Sequence, residues 1–381
     1  VYKRQWYPIT PSTSVAEGFE KYASKYRVDP QTGKNNYISV QAEDELAAVG
    51  MAIGANWNGA RGFTATSGPG ISLMSEFLGL AYFAEVPLVI FNIQRGGPST
   101  GMPTRTQQSD ILSCAYASHG DTKHVLLFPE DPQECFEFSA EAFNLAERLQ
   151  TPVFVISDLD IGMNDWVTDK FEWDDEQKYD RGKVLKAEDL DKMDNFGRYL
   201  DVDDDGICYR TYPGTHPEKG AFFTRGTSHD EYARYTENGD INEQTLTRLV
   251  KKFRTASELV PDPIINLSEK QGSSGVIFYG STSAAMYEAK DILNENNIEV
   301  DLMRIRSFPF NLDVWEFIEN HDLIYVIEQN RDSQMRTLIM AEGGISAEKL
   351  RSLVWFNGDP IQAKFIAKKI YERESQQALI T

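Results

Sequence analysis

The sequence predicts an α/β protein built on parallel sheets. From Tyr37 to Asp158, short apolar runs alternate with helix-like stretches. Strand, helix and strand in this order favour parallel pairing, because the helix carries the chain back along the sheet. The strands are continuous apolar runs, as expected where helices cover both faces of a sheet. At 381 residues, the chain is long enough for two or three domains.

The alternation divides the chain into three predicted parts. In the first part, residues 1–160, the strands are YISVQ, FTATS, PLVIFNI, HVLLFP and PVFVISD, and the helices are DELAAVGMAIGA, ISLMSEFLGLAYFAE and PQECFEFSAEAFNLAERL. Residues 161–262 lose the pattern until a charged, helix-like stretch around Leu246–Leu259, so we interpret them as an acidic insertion and connector. From Gly275 the alternation resumes, which predicts a second, smaller α/β domain at 263–381.

The charge balance excludes several classes of protein. The chain has 38 Lys and Arg against 58 Asp and Glu, a net charge of −20, which would repel a nucleic acid. Residues 165–205 alone hold 15 acidic and 7 basic side chains. No apolar run is long enough to span a membrane, and no signal peptide is visible. The three cysteines form no disulfide or metal-binding pattern, so we expect a reducing, cytoplasmic location.

Two predicted helix starts are candidates for function. The helix after YISVQ begins with Glu43, Asp44 and Glu45 and continues with Ala and Gly along one face, so another element must pack closely against it. Acidic residues in a first turn can also have no role beyond a favourable interaction with the helix dipole. The Ser67–Gly70 turn after FTATS can hold an anion on backbone N–H groups, or it can be a tight turn with Pro near the first helical position.

Two loops carry polar groups at predicted strand ends. The loop after PLVIFNI begins with Gln94 and Arg95, and a guanidinium at this edge of a sheet is suited to a carboxylate ligand. Near the amino terminus, Pro8 and Pro11 flank Thr10, which predicts a stiff, extended segment. A third loop, Asp201–Gly206, looks like the start of a calcium loop, but Tyr212 stands where an EF-hand needs Glu. We therefore interpret it as a solvated acidic loop.

Five segments, in this order, resemble one family: YPITPSTSVAE, AEDELAAVGMAIGA, TATSGPGISLMSEFLGLA, RGGPSTGMPTRTQQSD and PVFVISD. They are similar to the α subunit of 2-oxoacid:ferredoxin oxidoreductases, particularly the 2-oxoglutarate branch. The likeness is strongest over residues 5–160. Further along, GVIFYGSTSAAMYEA and LIYVIEQNRDSQM resemble the transketolase C-terminal-like domain that follows in that family.

The resemblance implies both a fold and a reaction. The fold is a parallel-sheet, thiamine diphosphate-binding (pyrimidine-binding) domain followed by a transketolase C-terminal-like α/β domain. The reaction is the oxidative decarboxylation of a 2-oxoacid, expected to be 2-oxoglutarate, to an acyl-CoA such as succinyl-CoA, with electrons passed to ferredoxin. Reductive carboxylation uses the same site, so both directions stay open.

The resemblance also assigns roles to residues. Glu45 aligns with the glutamate that faces N1′ of the aminopyrimidine, where a carboxyl group favours the imino tautomer needed for catalysis. Pro8 and Ile9 are expected to line the pyrimidine ring, and Thr10 to lie beside the substrate carboxylate. Arg95 is expected to pair with that carboxylate, while Arg105 is expected to be peripheral.

The same resemblance implies that this chain supplies half of an active site. A β subunit is expected to hold the diphosphate, Mg²⁺ and a [4Fe-4S] cluster, since this sequence has no GDG motif and its isolated cysteines cannot hold a cluster. The family also has a γ domain. Because only six residues precede Tyr7, we expect γ to be a separate chain or to have been cut from a fusion. A hetero-oligomer with two copies of each chain is expected.

Two other classes of function stay open at this point. One is a thiamine diphosphate lyase or carboligase that decarboxylates its substrate without electron transfer. The other is a non-catalytic paralogue with a structural role, or with a response to calcium through the Asp201–Gly206 loop. Thr10, Glu45 and Arg95 are all present, which argues against a decayed enzyme.

Overall fold

A computed structural model describes residues 2–172, 174, 176, 179–224, 226–269 and 274–378. The strands of this part of the chain are β1 (Tyr2–Trp6), β2 (Tyr37–Gln41), β3 (Arg61–Thr66), β4 (Leu88–Gln94), β5 (Val125–Leu127), β6 (Pro152–Asp158), β7 (Ile264–Asn266), β8 (Ser274–Tyr279), β9 (Val300–Ile305), β10 (Ser307–Phe308), β11 (Ile324–Glu328) and β12 (Leu350–Val354). The helices are α1 (Thr13–Tyr26), α2 (Glu45–Trp57), α3 (Gly68–Phe83), α4 (Ile111–Ala115), α5 (Pro132–Leu149), α6 (Leu159–Met163), α7 (Ala187–Asp191), α8 (Gly239–Ala256), α9 (Thr282–Glu295), α10 (Leu312–Glu319), α11 (Gln334–Gly343) and α12 (Ala363–Ala378).

These elements form two sheets, which confirms the predicted α/β class. The first has seven strands in the order β10-β5-β6-β4-β3-β1-β2, and only β10 pairs antiparallel to its neighbour. The second has five strands in the order β12-β11-β8-β9-β7, with β7 antiparallel to β9. Each strand predicted between Tyr37 and Asp158 overlaps an observed strand.

The sequence analysis missed β1 and α1. β1 lies between β2 and β3 and is parallel to both. Its sequence, YKRQW, is not an apolar run, because Arg4 and Gln5 are buried polar residues. The Arg4 guanidinium donates to the Ala16 carbonyl of α1 and lies over the Trp6 ring. A strand whose buried positions are polar gives no hydrophobic signal.

The two sheets share one hydrophobic core. A single cluster of buried side chains includes Ile90 and Ile156 from the first sheet and Ile277, Met303 and Val326 from the second. β10 follows β9 of the second sheet in the chain, but it pairs with β5 at the edge of the first sheet. The two halves of the chain are therefore joined by continuous packing and by β10, a strand from the second half that belongs to the first sheet.

A buried ion pair reinforces this junction. Arg304, on β9, donates to both carboxylate oxygens of Glu134 at the start of α5, at 2.6 and 2.8 Å. Arg306 donates to the same carboxylate at 2.9 Å. Burial alone would raise the pKa of Glu134, but hydrogen bonds and charge from Arg304 lower it. Glu134 is therefore held ionised between the two sheets.

Residues 161–262, which the sequence analysis interprets as a connector, contain the long helix α8. This helix begins at Gly239, capped by Asn238, rather than near Leu246 as the sequence pattern predicted. Its first two turns are polar and Asn is a strong cap, so the helix begins before its apolar face does.

The Asp201–Gly206 loop is held by an ion-pair contact with Lys183. The carboxylates of Asp203 and Asp205 lie 2.7 and 2.8 Å from Nζ of Lys183.

α8 is fixed to the first sheet through a fully buried carboxylate. Glu85, just before β4, pairs with Arg248 at 2.5 Å and with Lys252 at 2.8 Å. Burial would raise the pKa of Glu85, but the two cations more than offset this and lower it below its ordinary value of 4.5.

Among the described residues, no helix has the length and apolar character needed to cross a membrane.

Replacing Glu85 with Gln should destabilise the fold by about 3–5 kcal/mol, because two cations would lose their buried partner. Urea unfolding measures the change. The folded-state pKa of Glu85 is lowered, so its contribution is complete above pH 4.5 and shrinks as the pH falls below that value. The difference between wild type and variant should therefore be smaller at low pH.

Asp332→Asn is the matched control, since Asp332 forms an exposed ion pair with Arg331. Exposed pairs contribute little to stability, so this variant should unfold close to wild type. Equal destabilisation by both substitutions would contradict the role assigned to Glu85.

Candidate functional site

The candidate site lies at the carboxyl edge of the first sheet. β1, β3 and β4 are neighbours and run parallel, so the segments that follow them leave the sheet at the same edge. These segments are the 7–12 loop after β1, the start of α3 after β3 and the 95–110 loop after β4. The start of α2, which follows β2, lies at this edge as well. Open α/β sheets bind ligands at this edge.

Glu45 is the buried acid of the three at the start of α2. Asp44 is the helix N-cap, and its carboxylate accepts from the Ala47 N–H at 2.6 Å. Glu43 is exposed, whereas Glu45 is only 5% exposed. The structure therefore gives the three neighbouring carboxylates different surroundings and places Glu45 inside the protein.

Glu45 packs against the first turn of α3. A Cβ atom added at Gly70 would lie 2.8 Å from Cγ of Glu45 and 1.9 Å from Oγ1 of Thr66, so this position has no room for a side chain. Among the described residues, the Glu45 carboxylate has no hydrogen-bond or ion-pair partner. The side chain is thus largely enclosed, while its carboxylate stays available to a ligand at this edge of the sheet.

Arg95 and Thr10 come together at the same edge. Arg95 is 7% exposed, and its Nη1 donates to the Thr10 carbonyl oxygen at 2.6 Å. Its Nε is buried and has no partner among the described residues. The guanidinium is thus held in place by one backbone bond and retains donor capacity for an anionic ligand.

The 7–12 loop differs from the extended segment predicted around Thr10. The Ile9 carbonyl accepts from the Ser12 hydroxyl and the Thr13 N–H, each at 3.1 Å, which closes a turn leading into α1. Side chains with local acceptors favour such turns over extended backbone. Pro8 and Thr10 are exposed at this edge, and Ile9 is half-buried.

Asp110 and Asn92 are site residues that the sequence analysis did not identify. Asn92, on β4, donates to Oδ2 of Asp110 at 3.1 Å. A Cβ at Gly68 would lie 2.9 Å from Oδ1 of Asp110, so this carboxylate touches the start of α3. Burial raises the pKa of Asp110, although Asn92 and the charge of Arg95 oppose the shift. The one available signal was an Asn inside the apolar run PLVIFNI.

The 95–110 loop is folded on itself close to Arg95. Gly96 accepts from the Met102 N–H at 2.7 Å and donates to the Arg105 carbonyl at 2.9 Å. Gly101 has φ of +55°, and a Cβ there would lie 1.9 Å from the Gly96 carbonyl oxygen. Only glycine suits this position.

The loop is also attached to the second sheet. Arg105 pairs with Asp359 at 2.8 Å on the surface, which agrees with its predicted peripheral position. The Thr106 N–H donates to the Gly358 carbonyl at 3.1 Å. Buried Gln108 donates through its side chain to the Tyr279 carbonyl at 3.1 Å and accepts from the Gln329 N–H at 3.1 Å.

Comparisons with known proteins show which family the chain resembles. The family model described as "Pyruvate flavodoxin/ferredoxin oxidoreductase, thiamine diP-bdg" matches residues 4–255. Subunit alpha of 2-oxoacid:ferredoxin oxidoreductase 1 from Sulfurisphaera tokodaii is 35% identical over 367 residues, which cover 94% of this chain and 56% of that protein. 2-Oxoglutarate synthase subunit KorA from Methanothermobacter thermautotrophicus is 35% identical over 335 residues, 85% of this chain and 81% of KorA.

A solved structure is similar as well. The 2-oxoglutarate:ferredoxin oxidoreductase from Magnetococcus marinus, with 2-oxoglutarate, coenzyme A and succinyl-CoA bound, superposes with a TM-score of 0.85 at 28% identity. The match covers 98% of this chain and 62% of that chain. This chain thus spans little more than half of the longer relatives. With the matched family model and the KorA alignment, these similarities confirm the resemblance: the chain belongs to the family of 2-oxoacid:ferredoxin oxidoreductase alpha subunits.

Proposed function

We propose that this chain is the α subunit of a thiamine diphosphate-dependent 2-oxoglutarate:ferredoxin oxidoreductase. The reaction would convert a 2-oxoacid and CoA to an acyl-CoA and CO₂, with the released electron pair passed to ferredoxin, or would run in reverse. The observation that carries the proposal is Glu45, a largely buried acid beside the start of α3 whose carboxylate has no partner among the described residues. The names of the curated relatives support the choice of reaction.

Glu45 is suited to the aminopyrimidine of thiamine diphosphate. The cofactor, when bound, supplies the carbanion and the electron sink for decarboxylation. Glu45 would hold a proton at N1′ of the pyrimidine and return it during each cycle. The Glu45 side chain is only 5% exposed, and its lack of another partner among the described residues leaves the carboxylate free for that nitrogen. Pro8 and Ile9 would provide apolar contacts to the ring.

Arg95 and Thr10 would bind the substrate. A 2-oxoacid has a carboxylate next to the reacting carbonyl, and a buried guanidinium binds a carboxylate with charge-assisted hydrogen bonds. The Thr10 carbonyl fixes the orientation of Arg95, and the Thr10 side chain lies exposed at the same edge. We assign substrate binding to these two residues.

The outer face of α2 and α3 supports a partner subunit. Leu46, Met51 and Leu73 are exposed, at 38%, 39% and 54%, on the two helices whose first turns form the site. Exposed apolar side chains on helices that border a half-open site are typical of a protein interface. We assign this face to a β subunit that holds the diphosphate, Mg²⁺ and the [4Fe-4S] cluster.

The remaining assignments follow from the same proposal. A γ chain or domain, two copies of each chain and a cytoplasmic location complete the proposed assembly. We divide the chain into a pyrimidine-binding domain at 1–160, the connector at 161–262 and a second domain at 263–381. The strands of the second sheet, which all follow residue 263, support the last boundary.

One assay tests the function directly. The chain is purified with its partners, and viologen reduction is measured with CoA and a panel of 2-oxoacids. 2-Oxoglutarate should give the highest rate, and iron should copurify. Decarboxylation without electron transfer or iron would instead indicate a non-oxidative lyase, and no turnover with any 2-oxoacid would indicate a non-catalytic role.

Glu45→Gln should reduce viologen reduction at least 100-fold, because an amide cannot exchange the proton that N1′ requires. Circular dichroism should show an unchanged fold. Glu43→Gln is the matched control, since Glu43 is an exposed acid two residues away, and it should retain full activity. Near-wild-type turnover by Glu45→Gln would reject the role of this residue.

Arg95→Met should lower kcat/KM for the 2-oxoacid about 10- to 150-fold. This corresponds to about 1.5–3 kcal/mol for a charge-assisted hydrogen bond. Arg105→Met removes an exposed arginine of the same loop and should change kcat/KM little. If both variants lose activity equally, the loop rather than the Arg95 guanidinium is responsible.

Met51→Glu and Leu73→Glu should prevent copurification of the β subunit, because each would bury a charge in an apolar interface. Both side chains are exposed in the chain alone, so folding should be unaffected. Leu312→Glu, at an 82% exposed position on α10, is the control and should still copurify the partner. Retention of the partner by both α2 and α3 variants would place the interface elsewhere.

A further inference from the structure

The region around the connector buries more positive than negative charge. Six arginines are buried among the described residues: Arg4, Arg61, Arg95, Arg198, Arg210 and Arg304. Four of these have a carboxylate oxygen within 4.0 Å. Arg95 and Arg198 are the two that have none. Arg95 belongs to the proposed substrate site. Among the described residues, Arg198 is therefore the buried arginine whose positive charge has no carboxylate within 4.0 Å and no role in that site.

The nearest buried carboxylates already serve other cations. Glu85 pairs with Arg248 and Lys252, and it bonds Arg198 through its backbone carbonyl, at 2.9 Å from Nη2. The Glu85 carboxylate also attracts Arg198, but it lies more than 4.0 Å away. Glu147 is approached by Arg61 at 3.5 Å, by Arg181 at 2.9 Å and by Arg210 at 4.0 Å. Two buried glutamates thus face six basic side chains, in a protein whose net charge is −20.

Arg198 and Arg210 line the same pocket. It encloses about 270 Å³, including its mouth toward solvent, and its other lining residues include Trp57, Thr211, Phe222 and Thr224. Arg198 is 3% exposed and Arg210 is 5% exposed. Nε and Nη1 of Arg198 and Nε of Arg210 are buried without a hydrogen-bond partner among the described residues. Buried guanidinium groups with unused donors require an acceptor.

The electrostatics of the pocket favour an anion. Burial lowers the pKa of Arg210 to about 10, and the like charges of Arg198 and Arg181 add to the shift despite Tyr212 and Glu147. The neighbouring groups therefore do not fully stabilise the positive charge of the buried Arg210 guanidinium. The enclosed part of the pocket is far smaller than the sites of drug-sized ligands, so only a small ion could occupy it.

The pocket is separate from the proposed substrate site. Its residues Ala84–Pro87 precede β4, and Trp57 ends α2, so it lies at the amino-terminal edge of the first sheet. Glu45 and Arg95 stand at the opposite, carboxyl edge. Arg198, Arg210 and Phe222 belong to the connector, so the pocket lies between the connector and the sheet.

We propose that Arg198 and Arg210 bind a small oxyanion, such as inorganic phosphate or a short carboxylate, between the connector and the amino-terminal edge of the first sheet. The anion supplies the negative charge that Glu85 and Glu147 cannot provide to both arginines. It also links Arg198 and Arg210 of the connector at a point where they meet Trp57 of α2.

Thermal unfolding of the purified protein tests this proposal. Millimolar phosphate is compared with acetate and with chloride at equal ionic strength. Phosphate, acetate or both should raise Tm of the wild type by a few degrees relative to chloride, with saturation, since a ligand of the folded state stabilises it. The more effective of the two ions identifies the oxyanion as phosphate or carboxylate.

Two variants separate this site from a general salt effect. Arg198→Met keeps the apolar stem but removes the guanidinium and should abolish the oxyanion-dependent rise in Tm. Arg331→Met, at an exposed position, should keep it. No rise in the wild type, or an equal rise in Arg198→Met, would overturn the proposal.

A second measurement uses the unaltered chain, because Arg198→Met also removes the bond to the Glu85 carbonyl. Crystals of the purified protein are soaked in selenate, a tetrahedral oxyanion with an anomalous signal. Anomalous density between the two guanidinium groups would support the site. Density only at other positions, or none, would reject it.

Discussion

The parallel pairing of β1, β3 and β4 is the constraint on which the candidate site depends. Parallel neighbours end at the same edge, so segments far apart in sequence leave the sheet side by side. Thr10 and Arg95 are 85 positions apart, yet they share a hydrogen bond of 2.6 Å. Glu45 reaches the same edge because β2 pairs with β1. A change in strand order would separate these groups even if each local motif were preserved.

Charge in this protein is organised locally, and the net value describes its surface. Residues 161–262 hold 23 acidic against 15 basic side chains. In the Asp201–Gly206 loop, Lys183 and backbone N–H groups engage three of these carboxylates. The buried groups beside the connector show the opposite, since Arg61, Arg198, Arg210 and Lys252 outnumber Glu85 and Glu147. A guanidinium can remain charged when buried because of its very high intrinsic pKa. The interior can thus attract anions inside an acidic protein.

Much of the architecture could be predicted from the sequence, because buried parallel strands give continuous apolar runs. The strands and helices from Tyr37 to Asp158 follow this rule. β1 could not be found in this way, since Arg4 and Gln5 occupy its buried positions. Nor could β10, since two residues carry no periodicity and its partner β5 is 180 positions away.

Site residues could be proposed from the sequence where the side chain itself indicates a function, as the carboxylate of Glu45 and the guanidinium of Arg95 do. The short spacing of Glu43, Asp44 and Glu45 did not by itself show which acid is buried; capping by Asp44 decides this in the structure. Asp110 follows a long loop, and only the fold brings it to Asn92. Long-range contacts of this kind depend on topology that local pattern does not contain.

The attachment of the 95–110 loop to the second sheet has a consequence for evolution. Gly358, Tyr279 and Gln329 all bond to this loop, and β10 completes the first sheet. The second half of the chain therefore cannot be exchanged for that of a distant relative without disturbing the segment that begins with Arg95. Recombination within the family should preserve the two halves as one inherited block, and divergence in substrate preference should be accompanied by paired substitutions across this boundary.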